Sequence, residues 1–289
     1  MLMDVFMRYP GAKDKALTFS YDDGLVSDIR LAGLFDKYGL KCTFNHCAGM
    51  YAAETLSDEN RSGHKWMKLS EVMANFAGSP HEIALHGYTH PFLDLLPEGN
   101  AIYDMVKNRE ILESSLGRIV RGFAFPNGSI LNSVSGSYDE SMTAMLKSCG
   151  IVCSRITRST NNFYLPSDWF RWMPTCHHNS PELMKLAKRF AETRVDRIAR
   201  LFYVWGHSFE FDKDDNWNVI EELAAYFGGR DDVWFATNIE IYEYAQAYSR
   251  LVFSIDGTRV YNPNARIVYL NKCGKDYAVA PDETIILGK

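Results

Sequence analysis

The sequence predicts an α/β protein built on a parallel sheet, open or closed into a barrel, with a small all-β segment at its C-terminal end. Three observations carry this. Apolar β-type runs alternate with helical patterns over most of the 289 residues. A composition of 46% hydrophobic and 13% aromatic residues suffices for a sizeable core and argues against disorder. From about residue 250 the helical pattern stops, and turn signals DG, NPN, CG and PD punctuate short strands. The length suits one large unit, 1–249, and a small β appendage, 250–289.

The elements follow in order. A strand over 16–21 leads to Ser27, a candidate N-cap for a helix reading DIRLAGLFDKY that Gly39 closes. A strand at 40–47, a helix near 69–77 and the short strand EIALH at 82–86 come next. An amphipathic helix over about 98–117 precedes strand GFAF, helix 138–149 and strand 151–154. Helix 181–193, the strand LFYVWGH at 201–207, helix 216–227, strand 233–237 and helix 239–248 complete the alternation. Residues 50–66 and 155–180 read as loops. The second is aromatic and Pro-punctuated, and is either a packed surface excursion or a functional loop.

Composition narrows the partners. The net charge of −5 comes without a Lys/Arg cluster, so no nucleic-acid partner is expected. No apolar run approaches a membrane span, and Asp4 and Arg8 interrupt any signal-peptide core. The six cysteines show no C-x-x-C pairing and read as reduced, mostly buried thiols. These features lead us to expect a cytoplasmic protein with no membrane partner. The oligomeric state is open.

Four strand ends carry residues suited to chemistry. LTFSYDDG places Asp22 and Asp23 side by side, either decorating a turn or reaching one site through a bend. HGYTH offers His86 and His90, four apart, as unrelated histidines or as two metal ligands. With Gly87 in place of a glutamate, the H-E-x-x-H metalloprotease reading fails on its base. Two histidines and a carboxylate can hold a catalytic divalent ion with an open position, leaving a second carboxylate to take a proton. VWGHSFEFD presents His207 with Glu210 and Asp212 following, a half-buried histidine or a general acid tuned by a carboxylate. GFAFPNG is a turn whose backbone N–H groups could hold an oxyanion.

The series TFSYDDG, HGYTH, FAFPNG and WGH resembles, in order and spacing, the NodB-homology polysaccharide deacetylases of carbohydrate esterase family 4. The resemblance covers about residues 15–245 and implies a distorted (β/α) barrel, a divalent metal, and hydrolysis of acetyl groups from sugars. It implies Asp22 as catalytic base, Asp23, His86 and His90 as metal ligands, His207 as general acid, and the Asn127 backbone N–H at the oxyanion. The implied metal is Zn²⁺ in the first instance, with Co²⁺, Ni²⁺ or Mn²⁺ as alternatives. The implied partner is an N-acetylated, or O-acetylated, sugar or oligosaccharide.

This chain departs from the family pattern in several places. Ser20 and Tyr21 read as two extra residues ahead of the acids, and Gly87 stands where the family prefers Ser or Thr. Ala124 replaces the motif arginine, for which Arg121 or Arg171 are candidate substitutes. Asn127 replaces an aromatic residue, and the D-x-x-D-W motif shrinks to Asp168–Trp169. Trp169 and Trp172 are candidates for a sugar-stacking wall, or for a cap on the barrel core. Trp205 is placed at the acetyl-methyl pocket, Arg171 and Tyr88 are further substrate candidates, and His46 reads as structural. Two other readings stand beside the deacetylase: a non-catalytic metal- or carbohydrate-binding relative, and a hydrolase of a different small amide or ester.

Overall fold

The strands of the central sheet are buried along nearly their whole length, so both faces of the sheet are covered. The computed structural model describes residues 4–58, 63–128, 130 and 137–288; of the expected loop 50–66, residues 59–62 lie outside that set. The first strands are β1 (Val5–Arg8), β2 (Lys15–Asp23), β3 (Cys42–His46), β4 (Glu82–Leu85) and β5 (Gly122–Ala124). They are followed by β6 (Cys153–Arg155), β7 (Cys176–His177), β8 (Arg200–Gly206) and β9 (Val233–Phe235). The helices are α1 (Ser27–Lys37), α2 (Leu69–Phe76), α3 (Glu98–Leu116) and α4 (Glu140–Ser148), then α5 (Leu183–Glu192), α6 (Phe209–Lys213), α7 (Trp217–Phe227) and α8 (Asn238–Ser249).

Eight strands form one sheet in the order β6-β5-β4-β3-β2-β8-β7, with β9 paired to the first half of β2. Every pairing in it is parallel, so all strand C-termini lie at one end, where parallel α/β sheets carry their sites. The distorted (β/α) barrel expected from the sequence is what the chain forms. The loop expected over 155–180 is not irregular throughout: Cys176–His177 forms β7 and pairs with Val204 and Trp205. Two residues are too few for a periodic signal, so this edge strand is invisible in the sequence.

Period-two alternation divides β2. Leu17, Phe19 and Tyr21 join Phe44, Leu85 and Phe202 in the main core, against the helices. Thr18, Ser20 and Asp22 are buried polar residues on the opposite face. That face is satisfied by hydrogen bonds: Thr18 Oγ1 donates to Asn238 Oδ1 at 2.9 Å, and Asn45 Nδ2 donates to Ser20 Oγ at 2.8 Å. A second cluster, with Ala16, Cys153, Trp172, Tyr203, Ile241 and Tyr244, fills the space beneath it. Register is unbroken from Phe19↔Cys42 to Asp23↔His46, so the ladder passes through Ser20 and Tyr21 to the two acids without a bulge.

Ser27 is the first residue of α1 rather than its cap, and its Oγ lies 2.7 Å from Ser208 Oγ. The helix buries Leu31, Ala32 and Phe35 and stops at Gly39, which has φ +68°. Beyond α8 the chain forms β10 (Val252–Phe253), β11 (Arg259–Tyr261), β12 (Val268–Lys272), β13 (Lys275–Val279) and β14 (Thr284–Ile286). They make two three-stranded sheets, β10-β11-β14 and β1-β12-β13. The N-terminal β1, absent from the sequence-based expectation, thus ties the appendage to the chain start. No helix among the described residues is long and apolar enough to cross a membrane.

Glu82, buried between β3 and β5, accepts from Thr43 Oγ1 at 2.8 Å and Ile239 N at 2.9 Å. Burial pushes its carboxyl up to about 7 despite these bonds. A folded-state pKa above the unfolded value contributes stability at low pH and loses it as pH rises through about 7. Glu82→Gln should therefore gain on the wild type between pH 5 and pH 8 by up to about 3 kcal/mol. Denaturant unfolding at both pH values measures this, and a pH-independent difference would contradict it.

Candidate functional site

The strand ends bring six of the sequence-selected residues to one mouth. Along β2, Asp22 belongs to the inward polar set and Asp23 would alternate away from it. Asp23 instead has φ +91°, a left-handed conformation that costs a non-glycine residue about 1–3 kcal/mol. Gly24 follows at φ +89°, and a Cβ there would sit 3.1 Å from the His46 ring. That turn brings both acids to the mouth.

Asp23 Oδ1 lies 3.7 Å from His86 Nε2 and 3.6 Å from His90 Nε2. One ligand atom from each of the three residues falls within 4.8 Å of the others, which fits a divalent ion. His86 Nδ1 donates to the Ala124 carbonyl at 2.9 Å, so its Nε2 lone pair faces Asp23. This tautomer suits a ligand, and burial disfavours the charged ring, lowering its pKa despite Asp22 and Asp23. The donor set and its orientation therefore fit the metal implied by the sequence.

Gly87 is required by this loop. Its φ is +73°, and a Cβ would meet Pro91 Cδ at 2.8 Å and Asp104 Oδ1 at 3.0 Å. Asp104 on α3 accepts from Tyr88 N at 2.6 Å, Thr89 N at 3.1 Å and Thr89 Oγ1 at 2.9 Å. Four residues on, Asn108 donates to the His46 carbonyl and accepts from Ala48 N, both at 2.8 Å. Sequence reasoning missed this pair. The available signal was two polar residues on the buried face of α3, among Ala101, Met105 and Leu112.

Asp22 Oδ1 accepts from Asn45 Nδ2 at 2.9 Å, and Oδ2 pairs with Arg155 Nη2. His86 Nε2 and His207 Nε2 lie 3.8 and 3.9 Å from Oδ2. Burial would raise the Asp22 pKa, but Arg155, His86 and His207 together hold it below the usual value. Arg155 stacks over the Trp205 ring at 4.3 Å and is 1% exposed. Neither suggested substitute for the arginine missing at Ala124 takes this place. Arg121, at the opposite end of β5, pairs with Glu243, and Arg171 pairs with Glu140 and Asp168. Arg155 arrives from the end of the next strand, a position no linear motif reveals.

His207 stands between two carboxylates, its Nε2 toward Asp22 and its Nδ1 3.6 Å from Glu210 Oε2. Burial would lower its pKa, but Glu210, Asp22 and Asp23 raise it above the ordinary value. Glu210, rather than Asp168 or Asp212, is the carboxylate beside His207 Nδ1. Asp168 instead caps its own turn at Phe170 N, and Asp212 binds Trp217 Nε1.

The aromatic wall needs correction. Trp172 is 1% exposed and packs 4.9 Å from Tyr203, so it belongs to the core and cannot stack on a sugar. Trp169 packs against Trp172 and Tyr242 at 4.9 and 5.3 Å, beside Leu165 and Val5 rather than the acids. Trp205 does line the mouth, next to His177 and His207. Tyr88 is half-buried, with its ring against Gly49. Asn127 has φ +56°, and its Nδ2 donates to the His90 carbonyl at 3.4 Å, joining the two loops. His46 is fully buried, with Nδ1 2.8 Å from Tyr51 Oη and burial pushing its pKa down to about 3, as a structural ring should be.

Glu210→Gln removes the nearest carboxylate from His207, so the ring should lose its proton at lower pH than in the wild type. A proton NMR titration of His207 reads this, and an unchanged or higher midpoint would contradict the assignment.

Residues 10–153 match the sequence model of the polysaccharide deacetylase family. A structure from Mycobacterium smegmatis, described as a polysaccharide deacetylase, is similar at TM-score 0.56 and 17% identity, over 83% of this chain and 93% of that one. The Xyl-CE4 domain of a multidomain xylanase from the hindgut metagenome of Trinervitermes trinervoides aligns at TM-score 0.50 and 16% identity, over 81% and 92%. With a Streptococcus pyogenes deacetylase the alignment spans 48% of this chain and 55% of that one, at 16% identity and TM-score 0.39. No curated protein matches the sequence.

Proposed function

We propose, from its membership of the polysaccharide deacetylase family, that this chain hydrolyses the acetamide of an N-acetylated sugar, using Asp22 as base and His207 as acid. The observation that carries the reading is the division of labour at the end of β2. Asp23 faces both His86 and His90, whereas Asp22, though 3.8 Å from His86, is tied to Asn45 and Arg155. Family membership supports deacetylase activity; the residues, the metal and the N-acetyl preference are our assignment.

Asp23, His86 and His90 would hold a divalent cation, Zn²⁺ by the nitrogen-rich donor set. Once bound, the cation supplies Lewis acidity to the attacking water and the acetyl carbonyl. Asp22, kept ionised by Arg155, accepts the proton that the water loses. The Asn127 backbone N–H is our candidate donor to the carbonyl oxygen as charge develops there. His207, whose proton is retained by Glu210 and Asp22, passes it to the departing amine from Nε2. Acetate and a free amino sugar result.

Trp205, clamped under Arg155, would bound the methyl group. Arg155 gives Asp22 the charge partner that Ala124 lacks, which favours turnover over the non-catalytic reading. A cleft of about 750 Å³ is lined by Leu25, Arg30, His64, Lys65 and Phe209, the first of which follows Gly24 in the chain, and would give room for further sugar units.

Asp22→Asn should keep its zinc and lose about 10²–10⁴-fold in acetate release from N-acetylglucosamine oligomers. His86→Ala should lose both metal and turnover. Wild-type turnover in either variant would refute the assignment.

A further inference from the structure

A second group of donors lies on the far side of His207. Glu210 Oε2 is approached by His177 Nε2 at 3.3 Å, by His178 Nε2 at 3.1 Å and by His207 Nδ1 at 3.6 Å. His177, His207 and Glu210 each offer a ligand atom within 4.8 Å of the others, and all three are partly exposed. Donors around tetrahedral zinc stand about 3.4 Å apart, given bonds near 2.1 Å. These spacings match that figure as well as the Asp23, His86 and His90 set does. His178 is fully buried and stacks on Phe211 at 4.2 Å, so it braces the carboxylate from behind.

We propose that Glu210, His177 and His207 form a second, weaker divalent-cation site, and that its occupation switches off His207 as an acid. The switch rests on the reading of His207 given above; the binding does not. The order of filling follows from the tautomers. His86 already carries its proton on Nδ1, bonded to the Ala124 carbonyl, so its Nε2 is ready to ligate. His177 is set the other way, because Asn179 N donates to its Nδ1 at 3.1 Å and the proton sits on Nε2. Before ligating, His177 must move that proton to Nδ1 and give up the Asn179 bond. The second ion therefore binds after the first.

The consequence lies in the ring of His207, whose two nitrogens face the two clusters. A cation on Nδ1 displaces that proton to solvent and leaves a neutral ring with its hydrogen on Nε2. A neutral imidazole N–H is a far weaker acid than an imidazolium, so the amine would depart unprotonated. Excess metal then inhibits by a defined route.

Equilibrium dialysis of the metal-free chain against rising ZnCl₂ tests the site without any substrate. Two binding steps are expected in the wild type. In His177→Ala the second should weaken at least tenfold, and in His86→Ala the first should vanish while the second persists. Glu210→Gln, checked by circular dichroism, should also lose the second step and covers the case of a misfolded His177 variant. Acetate release, compared within each protein at one equivalent and at excess zinc, should collapse in the wild type and hold in His177→Ala. A single step in the wild type, or a second step and inhibition unchanged in His177→Ala, would overturn the proposal. If only the function assigned to His207 is wrong, turnover will not follow the second step although dialysis still resolves it.

Discussion

The buried pair between Asp22 and Arg155 is the contact on which the mouth of the barrel depends. The two residues end strands β2 and β6, which are separated in the sheet by β3, β4 and β5. Their contact therefore spans the curl of the sheet rather than a neighbouring ladder. It also carries Arg155 over Trp205 at the end of β8, joining both sides of the opening. Breaking a buried pair by removing one partner costs about 3–5 kcal/mol, because the other charge stays buried. Here the pair couples fold and chemistry: the cation that closes the curl is the one that keeps the carboxylate ionised.

Around this pair, neighbouring residues are given opposite duties by backbone geometry. Alternation alone would send Asp22 and Asp23 to opposite faces, and the left-handed turn at Asp23 cancels it. A similar device recurs at Gly87 and His90, with φ +73° and +55°, and at Asn127 with φ +56°. Strained conformations gathered at three strand ends need outside support. α3 supplies part of it, through Asp104 at Tyr88 and Thr89 and through Asn108 at His46 and Ala48.

Much of this was legible in the sequence because it is written in periodicity and fixed spacing. Parallel α/β architecture, the all-β tail and the D-D-G, H-x-x-x-H and W-G-H strand ends all survive in three dimensions. What failed had a common cause, namely contacts between residues remote in the chain. Arg155 could not be singled out over Arg121 or Arg171, because strand order, not sequence distance, decides which arginine reaches Asp22. Trp172 could be read as a binding-site aromatic because its loop is polar, yet its isolated bridge to Arg155 and its ring contact with Tyr203 place it in the core. The ladder with β3 runs through Ser20 and Tyr21 to the acids without a bulge.

The central claim is that the adjacent acids divide, Asp23 to the metal and Asp22 to the proton. Anomalous diffraction at the zinc edge, from crystals of the full chain grown with one equivalent of zinc, tests this most directly. The account predicts one peak about 2.0–2.2 Å from Asp23, His86 and His90, with the Asp22 carboxylate outside the coordination sphere and still paired to Arg155. An ion bound by Asp22, or three side chains turned apart with no peak between them, would contradict it.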